Sequence, residues 1–212
     1  MIDQFLNRAG LTAEYREVLA VGVANGYQAW RAVRSHVPFL QSDLARQNLG
    51  NVINIAVQVS LDQAAQRSEL FYTERTWNAA HNYLQLVLRT GGLAITSHYC
   101  GRSVYRSVPV ARFRGDLAAH SAQLPLIFKP GDAADPESFQ FDTSNAYVHL
   151  EHHGRPSSPT AQLRVIDQDQ IPFFPKPLLL DLPEPEAKAS EEVGNELDKL
   201  FAPKSVAKTH EQ

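Results

Sequence analysis

The sequence contains a single cysteine, Cys100. One thiol excludes an intrachain disulfide and any zinc cage built from several cysteines. The chain also lacks an apolar run long enough to cross a bilayer, and no secretory hydrophobic segment follows Met1. These absences predict a cytoplasmic protein without a membrane partner.

Named catalytic motifs are missing as well. The sequence has no glycine-rich phosphate loop, no nucleophile-elbow serine and no kinase motif set. Its Gly91-Gly92 pair is accounted for by a tight turn, because glycine reaches positive φ without strain. Without a convergent catalytic set, we expect no cofactor, apart from the divalent metal considered below.

Acidic residues are absent between Glu74 and Asp116, a stretch that contains six arginines. The opposite imbalance is found in residues 181–212, where eight acidic residues face four lysines, a net charge of −4. Because the whole chain carries −3, residues 1–180 carry +1. A basic middle and an acidic C-terminal segment attract each other or charged partners.

The composition predicts one domain over residues 1–180, since 212 residues with 43% hydrophobic and 20% charged residues are average for a globular protein. Residues 1–70 are predicted to be mainly helical. Apolar residues recur with helical spacing after the N-cap Thr12, and Gly22 and Gly26 lie on the same stripe, which predicts close approach of another element. Residues 49–61 fit both a helix and a strand, and their length favours the helix.

Residues 82–168 are predicted to be mainly strands. Alternating runs on either side of Gly91-Gly92 indicate a hairpin that pairs Leu88 with Ile95. A short helix is expected at 110–120, and further strands at 124–128, 146–152 and 162–166. The fold class is therefore α+β, with a helical N-terminal part packed on an antiparallel sheet.

The C-terminal region divides into a strap and a tail. Residues 171–185 contain five prolines and predict an extended strap, held by Phe173, Phe174 and residues 178–180. Residues 181–212 are predicted to be an acidic, flexible and disordered tail, with a helical turn or two near Val193 and Leu197 that suits partner docking.

The first functional candidate is the arginine-rich segment 102–114 with its aromatic residues. Guanidinium groups pair with phosphates or carboxylates, and aromatic rings stack on bases, so either a protein partner or a nucleic acid fits. The alternative is pairing with the chain's own acids. The candidate binding residues are Arg89, His98, Arg102, Tyr105, Arg106, Arg112 and Arg114.

The second candidate is a metal site at His149, Glu151 and His153. On a strand these alternate residues project from one face, and His98 is expected on the same face. Two histidines and one carboxylate suit zinc and leave a position for the water that hydrolysis needs. The alternative is the ordinary solvated face of a strand, where polar residues also alternate.

A third candidate pairs Cys100 with His98 as nucleophile and base. A thiolate nucleophile requires a base within hydrogen-bond reach and an environment that lowers its pKa. The alternative is a small buried apolar residue.

These patterns favour a non-enzymatic interaction or regulatory protein that binds a protein partner through residues 102–114, the proline-rich strap and the acidic tail. A nucleic-acid-binding protein that uses the same arginines, and a metal-dependent hydrolase centred on His149, Glu151 and His153, are the two alternatives. The sequence does not separate the first two, because both depend on the same side chains.

Overall fold

The computed structural model describes residues 1–77, 84–101, 112–119, 146–155, 157–167 and 169–201. Its helices are α1 (Ile2–Arg8), α2 (Ala13–His36), α3 (Asp43–Gln47), α4 (Leu49–Ser68), α5 (Arg112–Ala118) and α6 (Ala187–Phe201), with a 3₁₀ turn at Pro38–Gln41. Its strands are β1 (Tyr72–Trp77), β2 (Leu84–Thr90), β3 (Leu93–Tyr99), β4 (Ala146–Arg155), β5 (Ser158–Ile166) and β6 (Leu178–Leu180). The predicted α+β class is confirmed. The strand predicted at 124–128 lies outside the described residues.

The six strands form one sheet in the order β1-β2-β3-β4-β5-β6. The predicted hairpin is confirmed, with Leu88 opposite Ile95 and Gly91 at a φ of 52°. All neighbours are antiparallel except β3 and β4, which run parallel, a pairing that the prediction of an antiparallel sheet did not include. A parallel pair needs a crossover connection, and α5 lies within that connection.

Helices α2 and α4 cover one face of the sheet and approach each other closely. A Cβ atom added at Gly26 would lie 2.7 Å from the Cα of Val57, and one added at Gly22 would lie 2.6 Å from Leu61 Cδ2. The expectation of close approach at these glycines is therefore confirmed. Within the described part of the chain, no helix has the length and apolarity needed to cross a membrane.

Residues 49–61, which the sequence left between helix and strand, belong to α4. The helix buries Ile53, Ala56, Val57 and Leu61 against α2 and the sheet. Its i, i+3, i+4 apolar set forms the core contact, while the alternating apolar positions Ile55 and Val59 are only partly buried. Helical periodicity thus outweighed the strand-like alternation.

The proline-rich strap packs on the body as predicted, and part of it adds an edge strand. Phe174 is buried with its ring 5.5 Å from that of Phe5, and Phe173 N donates to the carbonyl of Val165 at 2.9 Å. Leu178–Leu180 forms β6 beside β5.

Part of the predicted disordered tail is a helix. In α6, Val193 and Leu197 are fully buried, and Arg67 of α4 forms an ion pair with Glu192. The predicted disorder therefore does not extend to Ala187–Phe201, because its apolar stripe covers α2 and α4 of the same chain. Residues 202–212 lie outside the described part.

Candidate functional site

The two faces of the sheet differ in chemistry. The face toward α2 and α4 is apolar, with Leu86, Ile95, Val148 and Leu163 in the main core. The opposite face, called the polar face below, carries a small apolar patch under Ala118 of α5 and a row of polar side chains: Thr96, His98, His149, Glu151, His153, Gln162 and Arg164.

The polar face is buried, contrary to the interpretation of a solvated strand. The exposed fractions of His149, Glu151 and His153 are 2%, 1% and 0%. Helix α5 packs on this face and buries Ala118 completely. Because buried polar groups cost free energy unless they have partners, this row of polar residues requires an explanation.

The parallel pairing of β3 with β4 builds a cluster from Cys100, Glu151 and His153. His98 lies opposite Glu151, and Cys100 N donates to the carbonyl of His152 at 3.0 Å, which fixes Cys100 at the end of β3. One potential ligand atom from each member of the cluster lies within 4.8 Å of the other two, and all three residues are buried. The sulfur, oxygen and nitrogen donors together form a candidate metal site.

Hydrogen bonds from β5 orient the carboxylate of this cluster. Gln162 Nε2 and Arg164 Nε each donate to Glu151 Oε2 at 2.7 Å. Gln162 Nε2 also lies 3.3 Å from His153 Nε2, which is 3.9 Å from Glu151 Oε2. The paired charge of Arg164 compensates the burial of the carboxylate.

His98 and His149 meet on the polar face, as predicted, with ring centroids 4.8 Å apart. Thr96 Oγ1 lies 2.6 Å from both His98 Nε2 and the hydroxyl of Tyr147. Burial, and then the charge of Arg114, lowers the pKa of His149 to about 3. Burial is also the main cause of the lowered pKa of His98. Both rings are therefore neutral near neutral pH.

The Nε2 atom of His149 is buried and has no hydrogen-bond partner among the residues that the structure describes. A neutral imidazole nitrogen in such a position is available to a proton or to a metal ion. His149 lies two residues from Glu151 on the same face, but it does not belong to the cluster of Cys100, Glu151 and His153.

Cys100 and His98 do not form a nucleophile–base pair in this structure. The thiol donates to the backbone carbonyl of His98 at 3.7 Å, and the His98 ring is engaged by Thr96. Burial raises the pKa of the Cys100 thiol to about 12, the opposite of the shift that activates a cysteine.

The predicted arginine set is only partly described, and of its described members Arg114 and His98 lie near each other while Arg89 and Arg112 lie elsewhere. Arg89 donates to Glu74 at 2.7 Å and pairs with Ala94, four residues and about 13 Å along β3 from His98. Arg114 is buried near His98 and His149, whereas Arg112 is exposed at the start of α5. Arg102, Tyr105 and Arg106 lie outside the described residues.

Sequence reasoning missed Cys100 as a neighbour of Glu151 and His153. The three residues come from strands separated by a long connection, and alternation along one strand does not reveal its neighbour. The local sequence offered one indication of a site near Cys100, the alternation of His98 and Cys100, and that pattern fits a nucleophile–base pair, a metal ligand or a small buried residue equally well.

Comparisons of this chain with protein-family models, with curated proteins and with solved structures found no match. The buried donor set and its neighbours are therefore the basis on which a function is inferred.

Proposed function

We propose that this chain is a metal-binding protein in which Cys100, Glu151 and His153 hold one divalent transition-metal ion. The observation that carries the proposal is the convergence of three different donor atoms within 4.8 Å of one another, all of them buried. The ion would fasten the end of β3 to the middle of β4.

The donor set favours zinc, iron or cobalt over magnesium or calcium. Thiolate and imidazole are soft or borderline ligands, whereas magnesium and calcium prefer oxygen alone. Bonds of about 2.0–2.3 Å in a tetrahedral site place ligand atoms about 3.5 Å apart. The donors of Cys100, Glu151 and His153 therefore need to move inward by about 1 Å from their present spacing.

The surrounding charges are compatible with such an ion. Arg164 and Gln162 donate to Oε2 of Glu151, so the remaining lone pairs of the carboxylate are available to an ion. Hydrogen bonds from neighbouring side chains commonly orient metal ligands in this way. Binding also converts the Cys100 thiol into a thiolate, whose negative charge offsets part of the charge of the ion.

Burial of the ligands favours a structural ion over a catalytic one. Cys100 is 6% exposed and the other two ligands no more than 1%, so a substrate does not reach the cluster in this conformation. Closed metal sites of this kind contribute to folding free energy.

A metal-dependent hydrolase is the second candidate, and the buried Nε2 of His149 favours it. Three protein ligands leave a fourth position for the water that hydrolysis needs. His149 lies two residues from Glu151 on the same face and its Nε2 is available to accept a hydrogen bond, but a pKa of about 3 makes it a weak general base. This candidate requires that the polar face opens to admit a substrate.

The test is metal analysis of protein purified without a histidine tag. We expect about one equivalent of zinc or iron per chain, and loss of that metal in Cys100→Ser and His153→Gln. The control variant is His149→Gln, which lies on the same strand and face and is expected to retain the metal. Retention of metal by all three variants, or its absence from the untagged protein, would contradict the proposal.

Cobalt substitution tests whether Cys100 is a ligand, and thermal unfolding tests whether the ion is structural. A thiolate-to-cobalt charge-transfer band that disappears in Cys100→Ser identifies the sulfur ligand. For a structural ion, zinc at a free concentration one hundred times its Kd raises the Tm of chelator-treated protein by about 5–11 °C. Hydrolysis of generic ester or phosphoester substrates that is lost in His149→Gln, with the metal retained, would instead support the hydrolase.

A further inference from the structure

A concave site separate from the metal cluster lies in the helical layer, where α2 ends. A cleft of about 530 Å³ is lined by Trp30, Arg31, Arg34, Ser35, Gln41 and Arg46. No acidic residue belongs to this described lining. The cleft therefore brings three guanidinium groups to one concavity in a chain whose net charge is −3.

Two of these cations are not neutralised by the described part of the chain. The guanidinium groups of Arg31 and Arg34 form no ion pair or hydrogen bond with any residue that the structure describes. Arg46 forms an ion pair with Asp43 at 3.0 Å, and both side chains are largely exposed, so the pair is weak.

Arginines near a helix C-terminus also have an ordinary explanation, since they interact favourably with the helix dipole. That explanation covers Arg31 and Arg34, which belong to the last turns of α2. Arg46 lies in the last turn of α3, so the same explanation applies to it, but its side chain lines the same cleft as those of Arg31 and Arg34. The convergence of cations from two helices points to an external anion.

The helix terminus itself does not repel such an anion strongly. Gln41 Nε2 donates to the carbonyl oxygens of Arg34 and Ser35 at 3.2 and 3.3 Å, and so covers two of the C-terminal carbonyls. The Gln41 contacts also hold the 3₁₀ turn against α2 and keep the wall of the cleft in place.

We propose that this cleft binds a ligand with two or more linked phosphate groups. Guanidinium groups pair with phosphate oxygens through two parallel hydrogen bonds, and three of them match the charge of a di- or triphosphate better than that of a single phosphate. The volume is within the range of small-molecule sites. The proposal is independent of the metal cluster, which lies on the opposite face of the sheet.

The test is calorimetric titration at low salt with inorganic tripolyphosphate, and with ATP as the nucleotide source of the same group. We expect saturable binding that weakens as salt is raised. Arg31→Gln removes an exposed side chain without disturbing the core and is expected to weaken binding by about tenfold or more. Arg155→Gln, at the exposed end of β4, changes net charge equally and is expected to leave the affinity unchanged.

Several results would overturn the proposal. One is the absence of heat and of a thermal shift with both probes. Another is an equal loss of affinity in Arg31→Gln and Arg155→Gln, which indicates a diffuse charge effect. A third is binding of a single-stranded oligonucleotide with no binding of tripolyphosphate, since that assigns the surface to nucleic acid. Binding of ATP but not of tripolyphosphate would show that the phosphate groups are not the recognised feature, and would also count against it.

Discussion

The contact between α2 and α4 at Gly26 gives the sharpest stability prediction. A Cβ at this position would lie 2.7 Å from Val57 Cα, and 3.0 Å from both Ala56 O and Val57 N. Non-bonded carbon atoms prefer about 3.5–4.0 Å. The obstacle in Gly26→Ala is backbone, which a rotamer change does not remove, so the two helices have to separate by about 1 Å.

The magnitude follows from two opposing effects. Overpacking of a core contact costs about 1–3 kcal/mol. Replacing glycine by alanine inside a helix returns about 0.5–1 kcal/mol. We therefore expect Gly26→Ala to lower the free energy of unfolding by about 0–2.5 kcal/mol, with a midpoint of about 1 kcal/mol, which lowers the Tm of a chain of this size by up to about 10 °C.

The matched control is Gly194→Ala in α6. A Cβ there would meet Val33 Cγ2 at 3.7 Å, an ordinary van der Waals distance. Without a clash, the gain in helix propensity of about 0.5–1 kcal/mol should raise the Tm by about 1–4 °C. Calorimetry or thermal circular dichroism of the two variants beside the unmodified chain decides the matter. An equal rise in Tm for Gly26→Ala would show that α2 and α4 do not approach as described.

Two further predictions concern buried side chains. Tyr27→Phe removes the hydroxyl that lies 3.1 Å from His152 Nδ1 and donates to the carbonyl of His153 at 3.2 Å, so we expect a loss of about 1–3 kcal/mol in a urea titration. An unchanged urea midpoint would mean that water replaces the hydroxyl. Leu197→Ala in α6 should cost about 2–5 kcal/mol because Leu197 is fully buried, whereas the exposed Asn195→Ala should change stability by no more than about 0.5 kcal/mol. Equal stability of these two variants would show that α6 is not docked on the body.

The candidate site illustrates what strand alternation reveals and what it conceals. Period two in residues 147–153 placed His149, Glu151 and His153 on one face and His152 on the other. His152 indeed faces the helices, where its Nε2 lies 3.0 Å from Asn54 Oδ1. Alternation does not indicate which face is covered by other parts of the chain. The sequence allowed a solvated face for His149, Glu151 and His153, whereas the structure buries all three side chains.

The predicted tail also shows that a local pattern does not decide whether a segment is buried. Its acidic composition predicts solvation, while Val193 and Leu197 have the spacing of a docking helix. Both features are present in α6, and the apolar stripe found its partner within the chain. Composition describes the average environment of a segment, whereas docking depends on whether a complementary surface is within reach.

Local sequence determined the elements of this protein: the helix α2 that follows Thr12, the hairpin at Gly91-Gly92, the strap and the alternating β4. The start of α2 is where the sequence predicts it, although the Thr12 side chain makes no capping hydrogen bond. These features depend on residues within a few positions of one another, where periodicity and turn preferences act. Only the tertiary structure decided that β4 lies parallel to β3, that α5 packs on the small apolar patch of the polar face, and that Cys100 meets Glu151 and His153. Those contacts join residues far apart in the chain, and their free energy depends on surfaces that exist only after the helices and strands have packed.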